Sequence, residues 1–169
     1  KIGHNLKYDI AMLGQEGVEV KGQLHDTMLA SWLLNPNKPN HSLDEVSFEY
    51  LSKRKRSFTE VLGKRASFAD VPINEATAYA AEDAALSFEL RDILYPALRE
   101  QGLETVYEQI EMPLIPVLIS MEQSGVRIEA GLLTGLSALL SDEISSIQKR
   151  IYFLAGEEFN INSPKQLGM

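Results

Sequence analysis

The sequence predicts an α/β fold that is rich in helix and contains only two or three short strands. Apolar residues recur at helical spacing between residues 74 and 95, and a second long helical pattern runs from about Ala130 to Ala155. Extended character is confined to short stretches near residues 1–4, 18–24 and 126–128. With 169 residues and 44% hydrophobic content, the chain can bury a core.

The first residues indicate a strand end that turns into a short helix. Residues 5–9 follow the extended start and precede the apolar run at residues 10–13. On spacing alone, Asp9 is interpreted either as the N-cap of that helix or as part of a site. His4 either packs on the strand end or contacts a ligand beside Asn5.

Asp26 directly precedes an apolar helix that runs through Leu34, and it is therefore interpreted as the N-cap of that helix. A loop dense in turn-forming residues follows at residues 35–40, and the next helix is predicted near Leu43–Leu51. His41 is expected to cap or pack, with a DNA contact as the alternative. His25 carries no functional prediction, and none of the three histidines has the neighbours of a zinc site.

Asp83 places an acid on the apolar face of the long helix, which is predicted to begin at an N-cap at Asn74 and to end at Pro96. Positions 79, 83, 86 and 90 share one face of this helix. A buried carboxylate without a partner is costly, so Asp83 should meet a cation. The alternative is an acid at the edge of the stripe that reaches water or pairs with an arginine.

A boundary is predicted after Gly102, followed by a new helical run. The apolar positions 107, 110, 114, 118 and 121 have the spacing of a core face, and Pro113 and Pro116 are expected to kink or restart the helix. Gly125 should end this helix, and an extended stretch should connect it to the helix at 130–155.

Composition limits the classes of function. Without cysteine, only hard oxygen ligands are available for a metal, and no apolar run approaches the roughly 20 residues that span a bilayer. We therefore expect a soluble cytoplasmic protein without a membrane partner. The net charge of −8 opposes long-range attraction to phosphates, but six of the sixteen Lys and Arg residues fall between residues 53 and 65.

That basic window carries a net charge of +5, because Glu60 is the one acid within it. Phe58 and Phe68 lie in or just after the window, and aromatic rings beside cations suit single-stranded nucleic acid. The alternative is a solvated loop whose aromatic residues anchor it to the core.

Two segments resemble the second and third motifs of the 3′–5′ exonucleases that use four acids and a tyrosine. They are Asn5-Leu6-Lys7-Tyr8-Asp9 and Tyr79-Ala80-Ala81-Glu82-Asp83. Further stretches are similar to the family A DNA polymerases of bacteria, namely residues 25–29, 110–114, 156–160 and 162–167. The resemblance spans essentially the whole chain.

The resemblance implies a partial ribonuclease H-like exonuclease domain at residues 1–104 and the start of a polymerase domain, where the thumb begins, at residues 105–169. The first motif of the family, an Asp-x-Glu pair, does not precede residue 5. Both ends of the sequence are therefore expected to be cuts in a longer protein, and this chain alone is expected to be inactive.

The resemblance also assigns roles to individual residues. Asp9 and Asp83 would each bind one of two Mg²⁺ ions, with Mn²⁺ as the alternative, and the Tyr79 hydroxyl would orient the attacking water. The expected partners are a single-stranded DNA 3′ end, a primer–template and the remainder of the polymerase chain. The predicted contacts to the terminal nucleotide are His4, Asn5, Tyr8 and Phe58.

Two other functions remain open at this point. A ribonuclease of the RNase D type, which trims RNA 3′ ends, would use the same acids and tyrosine. A catalytically inactive scaffold with an exonuclease fold would bind DNA without cutting it. The polymerase-like stretches at 110–128 and 162–167 argue against the ribonuclease.

Overall fold

The computed structural model describes residues 1–168, which form the predicted helix-rich α/β arrangement with two short strands. The strands and helices, in chain order, are β1 (Ile2–Gly3), α1 (Leu6–Gln15), β2 (His25–Asp26), α2 (Thr27–Leu34), α3 (Leu43–Leu51), α4 (Phe58–Leu62), α5 (Ile73–Glu100), α6 (Glu104–Val106), α7 (Met112–Ser124), α8 (Ala130–Ala155) and α9 (Pro164–Leu167). The contacts divide the chain into one unit at residues 1–124 and another that starts at Gly125.

The sheet consists of β1 and β2, which pair in parallel with Ile2 opposite His25 and Gly3 opposite Asp26. The strand expected near residues 18–24 is therefore wrong, because that stretch has no regular structure and the pairing begins at His25. Although its apolar residues alternate, no strand of residues 1–168 lies beside it, and Val18 is 48% exposed. Pairing partners, rather than local pattern, decide where this strand forms.

The Asp26 side chain joins the starts of two helices. Its carboxylate accepts hydrogen bonds from the backbone N–H groups of Met28 and Leu29, at 2.8 and 3.2 Å, which confirms the predicted N-cap of α2. The same carboxylate accepts from the N–H groups of Asn5 and Leu6, at 3.2 and 2.7 Å. One buried charge thus satisfies four backbone donors and fixes α1 against α2.

The Tyr107 hydroxyl forms hydrogen bonds with the backbone of Asp26. It accepts a hydrogen bond from the Asp26 N–H at 2.7 Å and donates to the Asp26 carbonyl at 3.2 Å. Tyr107 is 2% exposed, and burial raises the pKa of its hydroxyl, so the group stays protonated. The segment after α6 is thereby fastened to β2.

The core of residues 1–124 lies where α5 packs on α2 and α3. Its buried members on α5 are Leu86, Leu90, Leu94 and Leu98, and they meet Ala30 of α2 together with Leu43 and Val46 of α3. The predicted face of α5 is confirmed at positions 86 and 90, where both leucines are buried.

The bounds of α5 differ from the predicted ones at both ends. The helix begins at Ile73 behind Pro72 rather than behind a cap at Asn74, and it continues through Pro96 to Glu100. An interior proline costs about 3 kcal/mol, since it removes one hydrogen bond and crowds the preceding turn. The fully buried Leu94 and Leu98 on either side of Pro96 offset that cost by packing.

The face of the helical run after residue 106 is shifted by one position from the predicted one. Tyr107 is buried as expected, but Ile115 and Ile119 are buried in place of Leu114 and Leu118. A π-helical turn at Tyr107–Glu111 explains the shift, because such a turn adds one residue to the helix and rotates everything after it. The irregular turn therefore precedes Pro113 and Pro116, where the kink or restart was predicted, and both prolines lie inside α7.

The second unit, which starts at Gly125, contains α8 and α9. The helix predicted from Ala130 to Ala155 is confirmed, and it ends at Gly156, which has a φ of 77° as a left-handed C-cap requires. Tyr152 packs edge-on against Phe159, with ring centroids 5.8 Å apart. Among residues 1–168, no helix combines the length and the apolar character that crossing a membrane requires.

We expect Asp26→Ala to lower the free energy of unfolding by about 3 kcal/mol, because two helices lose their cap and four buried N–H groups lose an acceptor. Urea denaturation followed by circular dichroism measures the change. Asp92→Ala is the matched control, since Asp92 makes an exposed ion pair with Arg91 and should cost less than about 1 kcal/mol. A loss below about 1 kcal/mol at Asp26 would contradict the assigned role.

Candidate active site

A cavity of about 580 Å³ opens between the end of β1, the start of α3, α4 and the first half of α5. Its polar and aromatic lining residues are His4, Asp9, Ser42, Asp44, Lys55, Phe58, Phe68, Tyr79, Asp83 and Ser87. Five of the seven residues predicted from the sequence to form a site therefore face one cavity. They come from segments far apart in the chain.

Tyr79 and Asp83 lie one turn apart on α5, so both side chains reach the cavity from one wall. The Asp83 Oδ1 atom is buried. Burial raises the pKa of the Tyr79 hydroxyl, and the negative charge of Asp83 raises it further. The hydroxyl therefore stays protonated at neutral pH and remains available as a hydrogen-bond donor.

The Lys55 ammonium is the cation that Asp83 was predicted to need. Its Nζ lies 2.7 Å from Asp83 Oδ1, 3.3 Å from Asp44 Oδ1 and 3.4 Å from the Tyr79 hydroxyl. The same nitrogen sits over the Tyr79 ring, 4.4 Å from its centroid. Burial lowers the pKa of Lys55, but the Asp83 carboxylate outweighs that effect and the net shift is upward, so the ammonium stays charged.

Asp9 reaches the cavity from α1, on the side where β1 ends. Partial burial raises the pKa of its carboxyl, and the negative charge of Asp26 adds to this. Gly3 keeps the approach open, because a Cβ at that position would stand 2.5 Å from Leu6 Cδ2 and 3.6 Å from Asp9 Oδ2. The backbone of β1 can thus run directly beside the carboxylate.

His4 is held by the protein at both ring nitrogens. Its Nε2 donates to the His41 carbonyl at 2.8 Å, and its Nδ1 lies 2.9 Å from the Thr27 hydroxyl, which itself donates to the Gly3 carbonyl at 3.0 Å. Burial lowers the pKa of His4, although the bond to the His41 carbonyl partly opposes this. The imidazole therefore ties β1 to α2 and to the loop before α3.

His41 and His25 both pack against other side chains, as was expected for His41. His41 Nδ1 lies 2.9 Å from the Ser31 hydroxyl, which anchors the loop that leads into α3. His25 is buried against the edge of Tyr95, with ring centroids 5.2 Å apart.

Asn5 and Tyr8 do not line this cavity but a smaller depression, which also includes Lys7 and Glu122. Asn5 has a φ of 67°, a left-handed conformation that asparagine tolerates better than most residues, and this turns the chain from β1 into α1. Tyr8 is 61% exposed. The structure thus gives Asn5 a local role, while its predicted contact with a nucleotide stays a prediction.

Three aromatic rings form one wall of the cavity. Phe58 stacks on Phe68 with centroids 5.6 Å apart, and Phe68 in turn contacts Tyr79 at 5.8 Å. Phe58 nevertheless remains 48% exposed. The Phe58 ring is therefore packed against Phe68 and still partly exposed to solvent, as a ring that stacks on a base must be.

The basic window is fastened to α5 rather than free. Three of its six cations pair with acids of that helix, namely Lys53 with Glu89 at 2.6 Å, Lys55 with Asp83 at 2.7 Å and Arg65 with Glu75 at 3.4 Å. In addition, Arg54 lies over the Phe48 ring at 4.9 Å. Much of the +5 charge is thus neutralised locally, so the window is a weaker phosphate attractor than its composition indicated.

Sequence reasoning did not assign Asp44 or Lys55 to the site. Asp44 lies in the first turn of α3, where an acid is expected for its interaction with the helix N-terminus alone. Lys55 is one of four consecutive basic residues, and no local pattern distinguishes the one that turns inward. The need of Asp83 for a cation was the available signal, but it did not identify which cation.

A family model described as 3′–5′ exonuclease matches residues 1–99. DNA polymerase I of Rhizobium leguminosarum is 40% identical over 171 residues, which cover 99% of this chain and 17% of that protein. DNA polymerase I of Treponema pallidum (strain Nichols) is 40% identical over 166 residues, which cover 97% of this chain and 17% of that protein. The chain thus spans less than one fifth of the length of these relatives.

A solved structure has a similar fold. It is described as the POL domain of Pol1 from M. smegmatis in complex with DNA primer-template and dNTP. The superposition gives a TM-score of 0.73 at 25% identity and covers 99% of this chain and 26% of that one. Given the match over residues 1–99, the chain belongs to the 3′–5′ exonuclease family and resembles bacterial DNA polymerase I along nearly its whole length.

Proposed function

We propose that this chain supplies part of a proofreading 3′–5′ exonuclease site that hydrolyses the 3′-terminal phosphodiester of DNA. The observation that carries the proposal is the convergence of Asp9, Tyr79 and Asp83 on one cavity. Two carboxylates and a protonated phenol that face the same space can hold a cation and a water beside a phosphate. The family match over residues 1–99 supports this reading.

We further propose that residues 1–104 belong to a ribonuclease H-like exonuclease domain and that residues 105–169 begin a polymerase domain at the start of its thumb. The family match that stops at residue 99 supports the first assignment. Similarity to DNA polymerase I that continues over 97–99% of the chain supports the second. The whole enzyme would act in DNA replication and repair in the cytoplasm.

The residues present fit a hard divalent cation such as Mg²⁺ or Mn²⁺. Asp9 and Asp83 both offer carboxylate oxygens to this cavity, and such hard oxygen ligands are the ones these cations prefer. Within residues 1–168 there is no cluster of three or more acidic or histidine groups that could hold a metal. The family's Asp-x-Glu pair, which is absent from residues 1–169, would supply the remaining carboxylates.

In this mechanism bound divalent cations would supply charge that stabilises the attacking and leaving oxygens. Asp83 and Asp9 would each hold one of these ions. Tyr79 would orient the attacking water through its hydroxyl. Because the pKa of Tyr79 is raised, the phenol positions that water and does not remove its proton.

The exposed ring of Phe58 would stack on the terminal base of a frayed single strand. His4 would shape the cavity floor through its fixed ring, and Asn5 and Tyr8 would contact the strand from the smaller depression. A DNA 3′ end and a primer–template are therefore the proposed partners. The M. smegmatis structure, which holds a DNA primer-template, supports this proposal.

An RNase D-like exoribonuclease would use the same two acids and tyrosine. Similarity to DNA polymerase I over 99% of this chain, including residues beyond the exonuclease match, favours the polymerase. An inactive DNA-binding scaffold makes the opposite prediction in the experiment that follows.

In the polymerase that contains this sequence, we expect Asp83→Asn to slow nucleotide release from a 3′-labelled single strand by about a thousandfold, because a metal ligand contributes several kcal/mol to the transition state. Tyr79→Phe should slow release by about 10- to 100-fold, as loss of a positioning hydrogen bond does. Release is measured in Mg²⁺ by gel electrophoresis.

Asp92→Asn serves as the control, because Asp92 lies on the same helix away from the cavity and is exposed. Primer extension should be unchanged in all three variants. If the unmodified enzyme binds DNA but releases no nucleotide, the domain is a scaffold and the catalytic assignments fail. A substrate preference for RNA would support the ribonuclease instead.

We expect Phe58→Ala to weaken binding of a short single-stranded DNA by about 5- to 100-fold, because stacking on one aromatic ring contributes about 1–3 kcal/mol per base. Fluorescence anisotropy with a 3′-labelled oligonucleotide measures the affinity. Phe88→Ala is the control, since Phe88 is similarly exposed on α5 but does not line the cavity. Equal affinities for the two variants would exclude Phe58 as the stacking residue.

A further inference from the structure

Lys55 places a permanent cation at the carboxylate that the proposed function gives to a metal. Its side chain is 3% exposed, and its Nζ lies 2.7 Å from Asp83 Oδ1. Burying a lysine ammonium costs solvation free energy, and here its attraction to the carboxylates of Asp83 and Asp44 offsets that cost. The ammonium therefore fills the position on Asp83 that a divalent cation would need.

We infer that Lys55 is an internal counter-ion that competes with the divalent cation for Asp83, so that metal binding displaces the ammonium. This inference rests on the proposed function and deepens it. In the metal-free protein, the Lys55 ammonium neutralises the Asp83 carboxylate through their ion pair. The measured metal affinity then depends on how much more strongly the Asp83 carboxylate binds the divalent cation than it binds the Lys55 ammonium.

The charges that line the cavity agree with such an exchange. Three carboxylates line it, those of Asp9, Asp44 and Asp83, and Lys55 is the one lysine or arginine among the lining residues. A single ammonium does not neutralise three acids, so the cavity retains a net attraction for further positive charge. Without a cation beside it, the partly buried carboxylate of Asp83 would have no compensating positive charge.

The backbone around Lys55 permits the ammonium to leave. Residues 52–57, between α3 and α4, have no regular secondary structure, and the lysine stem is long and flexible. The segment is also held by contacts that do not involve Lys55, namely the Lys53–Glu89 ion pair and the bond from the Arg56 N–H to Glu82 at 3.3 Å. Withdrawal of one side chain therefore leaves the segment in place.

Mn²⁺ binding to the polymerase that contains this sequence tests the competition directly, because that protein would also supply the remaining carboxylates. Electron paramagnetic resonance of free Mn²⁺ gives the dissociation constant for the unmodified chain, Lys55→Met, Asp83→Asn and the double variant. Lys55→Met should lower the dissociation constant by about tenfold or more, since the competing charge is gone. Lys53→Met, which removes an exposed cation paired to the same helix, should change it by less than about twofold.

The outcomes separate the inference from the function on which it rests. If Asp83→Asn weakens Mn²⁺ binding but Lys55→Met leaves it unchanged or weaker, the competition is refuted and the metal site survives. If Asp83→Asn has no effect in either background, both the metal assignment and the inference fail.

A second measurement uses the unmodified chain and needs no variant to fold. Amine acetylation, quantified by peptide mass spectrometry, should be slow at Lys55 and should accelerate several-fold on addition of Mg²⁺, while Lys53 should not respond. Unchanged labelling of Lys55 at a Mg²⁺ concentration that saturates the chain would overturn the inference. So would an equal acceleration at Lys53.

Discussion

The carboxylate of Asp26 is the interaction on which the rest of residues 1–124 depends. It is 1% exposed, and it accepts hydrogen bonds from the first N–H groups of both α1 and α2. The Tyr107 hydroxyl binds the backbone of the same residue on its other side. Because α1 carries Asp9 and His4 directly follows β1, the geometry of the cavity depends on where the Asp26 side chain holds the starts of α1 and α2.

The second organising element is α5, which serves the core and the site with different parts of its length. Its later leucines are buried between α2 and α3, whereas Tyr79 and Asp83 reach the cavity near its beginning. The basic residues on both sides of α4 are attached to the same helix through three ion pairs, two before α4 and one after it. A helix that is packed in the core thus carries both Tyr79 and Asp83, and packing of this kind favours precise placement of side chains.

Much of this arrangement was accessible from the sequence because the signals were local and periodic. The long helix, the Asp26 cap and the expectation of a cation near Asp83 follow from spacing and from the cost of a buried charge. The strand at residues 18–24 was wrong because strand formation depends on a partner that local pattern does not reveal.

Other features depended on contacts between distant segments. The one-residue shift of the face after Tyr107 arises from a π-helical turn that leaves no clear periodic signal. The choice of Lys55 among four consecutive basic residues, and the placement of Asn5 and Tyr8 outside the cavity, are decided by tertiary packing. Domain limits and individual catalytic roles remain proposals that rest on the family resemblance.

The central claim is that Asp9 and Asp83 each hold a divalent cation beside a DNA 3′ end. A crystal structure of the polymerase that contains this sequence, with Mn²⁺ and a short single strand, tests it most directly, through the anomalous scattering of the metal. We expect Mn²⁺ within ligand distance of each carboxylate and the terminal base against Phe58. Mn²⁺ bound elsewhere, with Lys55 still on Asp83 and the strand outside the cavity, would contradict the claim.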